Sequence, residues 1–210
     1  MLKKNYPYYK HKKLKTFSEF LDLIVKKYAK NVAFSFHDGE ELVKKTYPEF
    51  VEDVRKLANF FNKNYSGKHL AICGENSYNW LVTFMAIVLS GNVAVPIDRD
   101  ADEKLLMTLL KSADCDTLFY SEKYLPFAKD IKFKTQKLED TPRKIKLGQK
   151  YHNLAKPDAE RMAVIFFTSG TTGAHKCVAL SEKNIMADIY GASSIYQPGG
   201  ATVSILPFHH

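Results

Sequence analysis

Apolar positions along the chain change rhythm near residue 69, and the two rhythms predict different kinds of structure. Ahead of that point the spacing is helical. Thr16 and Glu19 form a capping-box pair, and Phe17, Phe20 or Leu21, Ile24 and Tyr28 recur on one face, which predicts a helix to about Lys30. Val32 to Phe36 and Leu42 to Lys45 flank His37-Asp38-Gly39-Glu40, a hairpin closed by Asp-Gly. Thr46 and Glu49 make a second capping box with Pro48 in the first turn, opening a helix whose Val51, Val54, Leu57, Ala58 and Phe61 share a face.

From residue 69 short apolar strands alternate with helices: strand 69–73, helix 77–90 stopped by Gly91, strand 93–97, helix 101–112, strand 116–120. Such alternation predicts crossover units, and so an α/β fold with a largely parallel sheet and flanking helices. The helix at 77–90 is apolar nearly all round, through Trp80, Leu81, Phe84, Met85, Ile87 and Val88, and should be buried between layers as ordinary core. Residues 121–160, punctuated by Pro126, Pro142, Gly148 and Pro157, read as a short helix and a long irregular connection. Order resumes with a buried strand, Val164-Ile165-Phe166-Phe167. A strand at 177–180, a helix capped by Ser181 through about Ser194, and a strand at 201–205 complete the expectation.

Composition narrows the class without naming it. The chain has 210 residues, 45% of them hydrophobic, and a formal net charge of +8. That excess is local: residues 1–15 carry six lysines and no carboxylate, leaving 25 basic and 23 acidic side chains for the remaining 195 residues. The first fifteen residues therefore read as a basic tail on a near-neutral body, and no specific nucleic-acid partner is expected. Pro7 and further lysines stand where a signal peptide would need an apolar segment, and the longest apolar run, Trp80 to Leu89, is far short of the roughly 20 residues that cross a bilayer. Cys73, Cys115 and Cys177 lie far apart without a Cys-x-x-Cys spacing, which disfavours both a disulfide framework and a zinc site. The expected setting is cytoplasmic; peripheral contact with a membrane stays open, as does oligomeric state.

One segment asks for a chemical explanation. Thr168-Ser169-Gly170-Thr171-Thr172-Gly173-Ala174-His175-Lys176 puts four hydroxyls, two glycines and a lysine directly after a buried strand. Glycines let backbone N–H groups converge on one point, hydroxyls add donors, and a compact cation neutralises phosphate charge. The spacing G-x2-G-x2-K, with a strand after it, is not the G-x4-G-K-[ST] helix-opening loop of P-loop proteins. Against the alternative of a plain glycine-threonine turn, the density of hydroxyls plus Lys176 favours a triphosphate or pyrophosphate site.

Phe167 to Val178 resembles the T-S-G-T-T-G-x-P-K-G-V signature of the AMP-forming adenylate-forming ligases, which include acyl-CoA synthetases, luciferases and nonribosomal-peptide adenylation domains. His175 stands in place of the signature proline and Cys177 in place of its glycine. The resemblance extends over most of the chain. Thr46-Tyr47-Pro48-Glu49-Phe50 is similar to the family's T-Y-x-E-L segment, and Gly74-Glu75-Asn76 followed by Trp80 to its G-x-N helix entry. Residues Ser90 to Ile97 are similar to G-G-x-x-V-P-[IL], and Leu206-Pro207-Phe208-His209-His210 to L-P-x-x-H.

The resemblance implies activation of a carboxylic acid, a fatty acid in this reading, by ATP with Mg2+ as an acyl-adenylate, followed by transfer to coenzyme A. It assigns Thr168, Ser169, Gly170, Thr171, Thr172, Gly173 and Lys176 to the ATP phosphates, with Thr168 near the magnesium, and His210 to the border of the acyl and adenylate pockets. An amino-acid or aryl-acid adenylation domain, or a non-catalytic module keeping the fold, stay open. The family's later motifs have no counterpart here. Residues 16–210 are thus expected to be the N-terminal part of an AMP-binding domain, inactive alone, with its remaining part and mobile lid domain absent.

Overall fold

The computed structural model describes residues 8–149, 154–169, 175–196 and 200–209. Two capping-box predictions hold here: Thr16 caps α1 (Phe17–Tyr28), Thr46 caps α2 (Tyr47–Asn64), and each accepts from the backbone of the Glu three residues on, whose carboxylate reaches back. Between them β1 (Val32–Asp38) and β2 (Glu41–Thr46) pair antiparallel, Gly39 taking the φ of 61° that the Asp-Gly turn requires.

The main sheet has six strands. β3 (His69–Cys73), β4 (Val93–Ile97), β5 (Cys115–Tyr120), β6 (Thr135–Lys137), β7 (Met162–Ser169) and β8 (His175–Ser181) lie in the order β6-β5-β3-β4-β7-β8. All neighbours run parallel except β7 and β8, which form an antiparallel hairpin at one edge. This is the expected α/β class.

Alternation along the strands splits the core in two. Leu70, Ile72, Ala94, Phe119 and Val164 face one layer, built from α1, α2 and α3 (Tyr78–Leu89), whose Leu21, Leu57, Phe61 and Ile87 are fully buried. Ala71, Cys73, Val95, Ile97, Leu118, Tyr120 and Ile165 face the other, covered by Leu106, Leu109 and Leu110 of α4 (Glu103–Ser112). α3 is buried as its all-round apolar sequence requires, and Gly91, at φ 88°, turns the chain away from it.

Two expectations are corrected. Residues 121–160 are not mainly an irregular connection, because a short turn at Pro126–Lys129 leads into the edge strand β6 and then into α5 (Thr141–Gly148). β6 is three polar residues whose ladder is a parallel register with β5, Leu118 to Thr135 through Tyr120 to Lys137, so no side-chain pattern announces it. α5 lies on α2 so closely that a Cβ at Gly148 would sit 1.8 Å from the Lys56 carbonyl oxygen. The glycine read as punctuation is a packing residue.

The expected strand at 201–205 is irregular and finds no ladder partner among the described residues. Val203 and Ile205 are 85% and 83% exposed, so β-propensity there has no pleated surface to satisfy. The helix before it, α6 (Glu182–Ile195), forms as expected and is capped by Ser181. Residues 8–15 of the basic segment run along its end: the Tyr9 N–H donates to the Ser194 carbonyl at 2.8 Å, and Lys13 sits over the Tyr190 ring. No helix among the described residues is long and apolar enough to cross a membrane.

Candidate functional site

β7 positions the loop that carries the candidate chemistry. Ala163, Val164 and Ile165 are buried, and Val164 pairs with Ala94 of β4, so the strand's first half is anchored in the sheet. Beyond Val164 its residues pair, among the described residues, only with β8. The β7–β8 register sets Thr168 opposite Lys176 and Ser169 opposite His175. Directly opposed residues share a face, so Thr168 and Lys176, both exposed, project on the same side of the hairpin. Gly170, Thr171, Thr172 and Gly173, and likewise His210, lie outside the described residues.

A second group of residues converges at the carboxyl ends of β3, β4 and β5. Asn76, two residues past the Gly74 that follows β3, donates from Nδ2 to the Leu206 carbonyl at 2.7 Å and accepts the Phe208 N–H on Oδ1 at 2.9 Å. One amide side chain thereby clamps the Leu206-Pro207-Phe208 segment. The Phe208 ring packs against Trp80 of α3, centroids 5.4 Å apart, and His209 Nε2 lies 3.6 Å from the Asp98 carboxylate just after β4. Two motifs 130 residues apart in sequence form one edge of a cleft.

That cleft, of about 260 Å³, is lined by Glu75, Asn76, Arg99, Tyr124 and Ser204 among others. Arg99 lies over the Tyr124 ring at 5.4 Å, and the Glu75 Oε2 is buried with no hydrogen-bond partner among the described residues. In sequence Glu75 and Asn76 are only part of a helix entry, and Arg99 and Tyr124 carry no signal. Nothing local marks these four as one group, because they follow three different strands and meet only when the sheet forms. Among the described residues no three His, Cys, Asp or Glu side chains are grouped as a metal site.

A buried ion pair holds the β7 and α6 ends of this framework. Glu182, 3% exposed, accepts the Phe17 N–H and an Arg161 N–H, each at 2.8 Å, while the same Arg161 Nη2 donates to the Val88 carbonyl at 2.8 Å. Burial pushes the Glu182 carboxyl above its ordinary range, opposed by the Phe17 N–H and Arg161.

Comparison with known proteins places this framework. A family model described as AMP-binding enzyme matches residues 21–210. The chain is similar to a CoA ligase of Gibberella moniliformis, 28% identical over 156 residues, a match covering 69% of this chain and 26% of that protein. Its fold is that of the Klebsiella oxytoca NpsA N-terminal subdomain in complex with 3-hydroxyanthranilyl-AMSN (TM-score 0.66, 24% identity, 80% of this chain and 41% of that one). It is also that of a fatty acyl-adenylate ligase from L. pneumophila in complex with acyl adenylate and pyrophosphate (TM-score 0.70, 16% identity, 84% and 32%). The chain thus spans about a quarter of the CoA ligase and less than half of either solved chain.

Proposed function

Because the chain belongs to the AMP-binding enzyme family, which is adenylate-forming, we propose that it is the phosphate-gripping N-terminal part of a ligase that activates a carboxylic acid. In the reaction a carboxylate oxygen attacks the α-phosphorus of ATP, the bond to the β-phosphate's bridging oxygen breaks, and pyrophosphate departs from the acyl-adenylate. A thiol then attacks the acyl carbon and AMP leaves.

The observation that carries this reading is the register opposing Thr168 to Lys176 at the end of a buried strand. Charge builds on the departing pyrophosphate, and a hydroxyl and an ammonium on one face of the hairpin would stabilise it where it develops. Ser169, Gly170, Thr171, Thr172 and Gly173 complete the cradle. Magnesium keeps mostly phosphate and water oxygens and needs few from protein, so the hard, exposed Thr168 hydroxyl fits an ion that arrives on the nucleotide. His210 borders the acyl side, next to a segment that Asn76 already fixes.

Coenzyme A is the favoured acceptor, supported by similarity to a CoA ligase, and a fatty acid the favoured acid. The neighbour bound to an aryl adenylate analogue makes aryl-acid activation the second reading. ATP–pyrophosphate exchange with fatty, aryl and amino acids, measured on the protein extended to the family's full length, separates them. In that protein Lys176→Ala is expected to lower exchange roughly a hundredfold or more, as loss of one preorganised charge-stabilising donor does. No exchange with any acid in the full-length protein would instead mark a non-catalytic module.

A further inference from the structure

Residues 8–15 hold four of the six lysines that open the chain, and the fold gives them a platform. The Tyr9 N–H donates to the Ser194 carbonyl of α6, His11 Nε2 lies 3.0 Å from the Ser193 carbonyl oxygen, and Leu14 packs on the core shared with α1. His11 and Leu14 thus turn inward, while Lys10, Lys12, Lys13 and Lys15 around them stay exposed. The segment is a strap along the end of α6 that carries its charge outward.

Little nearby balances that charge. Residues 1–15 contain no carboxylate, and residues 189–196, the end of α6 and its cap, contain no charged side chain. Among the described residues none of the four lysines makes an ion pair, Lys13 lying instead over the Tyr190 ring. Glu19, just beyond the strap, has its Oε2 engaged by the Lys15 and Thr16 N–H groups of the α1 cap. Large apolar side chains stand beside the cations. Tyr8 and Tyr196 are each 68% exposed, Ile195 is 53% exposed and Tyr9 is exposed as well, and the Tyr9–Ser194 hydrogen bond brings the two backbones together. One such side chain in water is ordinary; four at one place, flanked by lysines and without acid, make a patch with a function.

We propose that the strap 8–15 and the end of α6 together form a docking surface for an anionic lipid bilayer. The lysines meet the negative headgroups, and Tyr8, Tyr9, Ile195 and Tyr196 enter the boundary between headgroups and acyl chains. Tyrosine suits that depth, because its ring leaves water while its hydroxyl stays wet. Ile195 favours lipid over nucleic acid: an isoleucine side chain has no partner on a phosphate backbone, whereas it gains by leaving water for an apolar boundary. Vesicle binding needs no catalysis, so its outcome is independent of the ligase reading.

The test mixes the 210-residue chain with sucrose-loaded vesicles of phosphatidylcholine, alone or with phosphatidylserine, and measures the fraction pelleted. Expected is binding to the phosphatidylserine vesicles that salt weakens, and little to phosphatidylcholine alone. Lys10→Gln and Lys12→Gln should each weaken it about fivefold. Tyr8→Ser and Ile195→Ser should weaken it too, all four with the parent's midpoint in urea. A synthetic peptide of residues 1–15 should bind less well than the chain, because it lacks the apolar half of the surface. The idea is overturned if the two kinds of vesicle pellet the chain equally or not at all, if the peptide reproduces the binding in full, or if Ile195→Ser binds like the parent. Retention of a DNA or RNA duplex in place of vesicles would make this a nucleic-acid surface and overturn it as well.

Discussion

Lys144 shows how far a single side chain departs from what its type suggests. In sequence it is one of nine basic residues in a stretch that reads as exposed, yet its side chain is 3% exposed. Its ammonium donates to the Lys137 carbonyl at 3.1 Å, lies 3.9 Å from Asp140 and sits over the Phe119 ring. Burial outweighs these partners and brings its pKa down to about 8. Between that value and the ordinary lysine range near 10.4 the unfolded chain binds a proton that the folded chain does not, so this group makes stability rise with pH across that window. Below it, the full cost, on the order of 3 kcal/mol, is present. Lys144→Met should therefore be more stable than the parent in urea at pH 7, with the difference shrinking by pH 10. A difference indifferent to pH would remove the argument.

Elements are joined here by polar contacts as much as by apolar packing. Glu182 opens α6 but accepts from the N-terminus of α1, and its partner Arg161 reaches the end of α3. Removing one member of such a pair leaves a buried charge uncompensated, a loss of about 3–5 kcal/mol, whereas replacing both costs far less. Arg161→Met is expected to show that loss in denaturant unfolding, and the double variant with Glu182→Met to recover much of it. Additive losses would mean that the two do not act as a pair. The capping boxes of α1 and α2 were legible because their atoms are three residues apart; the Asn76 clamp was not, because its partners are 130 residues away and an asparagine after a strand is ordinary loop chemistry. β6 escaped for a related reason, its order being supplied by β5.

Across the whole molecule, the chain spans 26% of the CoA ligase it matches. The 210-residue chain is accordingly expected to give no ATP–pyrophosphate exchange above background with any acid, and exchange by the purified chain would overturn that expectation. Local pattern in the sequence was enough to set the alternation of strands and helices, the buried α3, and the cluster of hydroxyls, glycines and a lysine at 168–176. These depend on residue type and on spacing within one element, where sterics and local hydrogen bonds act. Sheet register and packing alone set Thr168 opposite Lys176, let Asn76 hold Leu206 and Phe208, and bury Lys144. Each of those needs a sheet register or a helix packed on it to bring distant residues together, and the chain's local pattern contains neither.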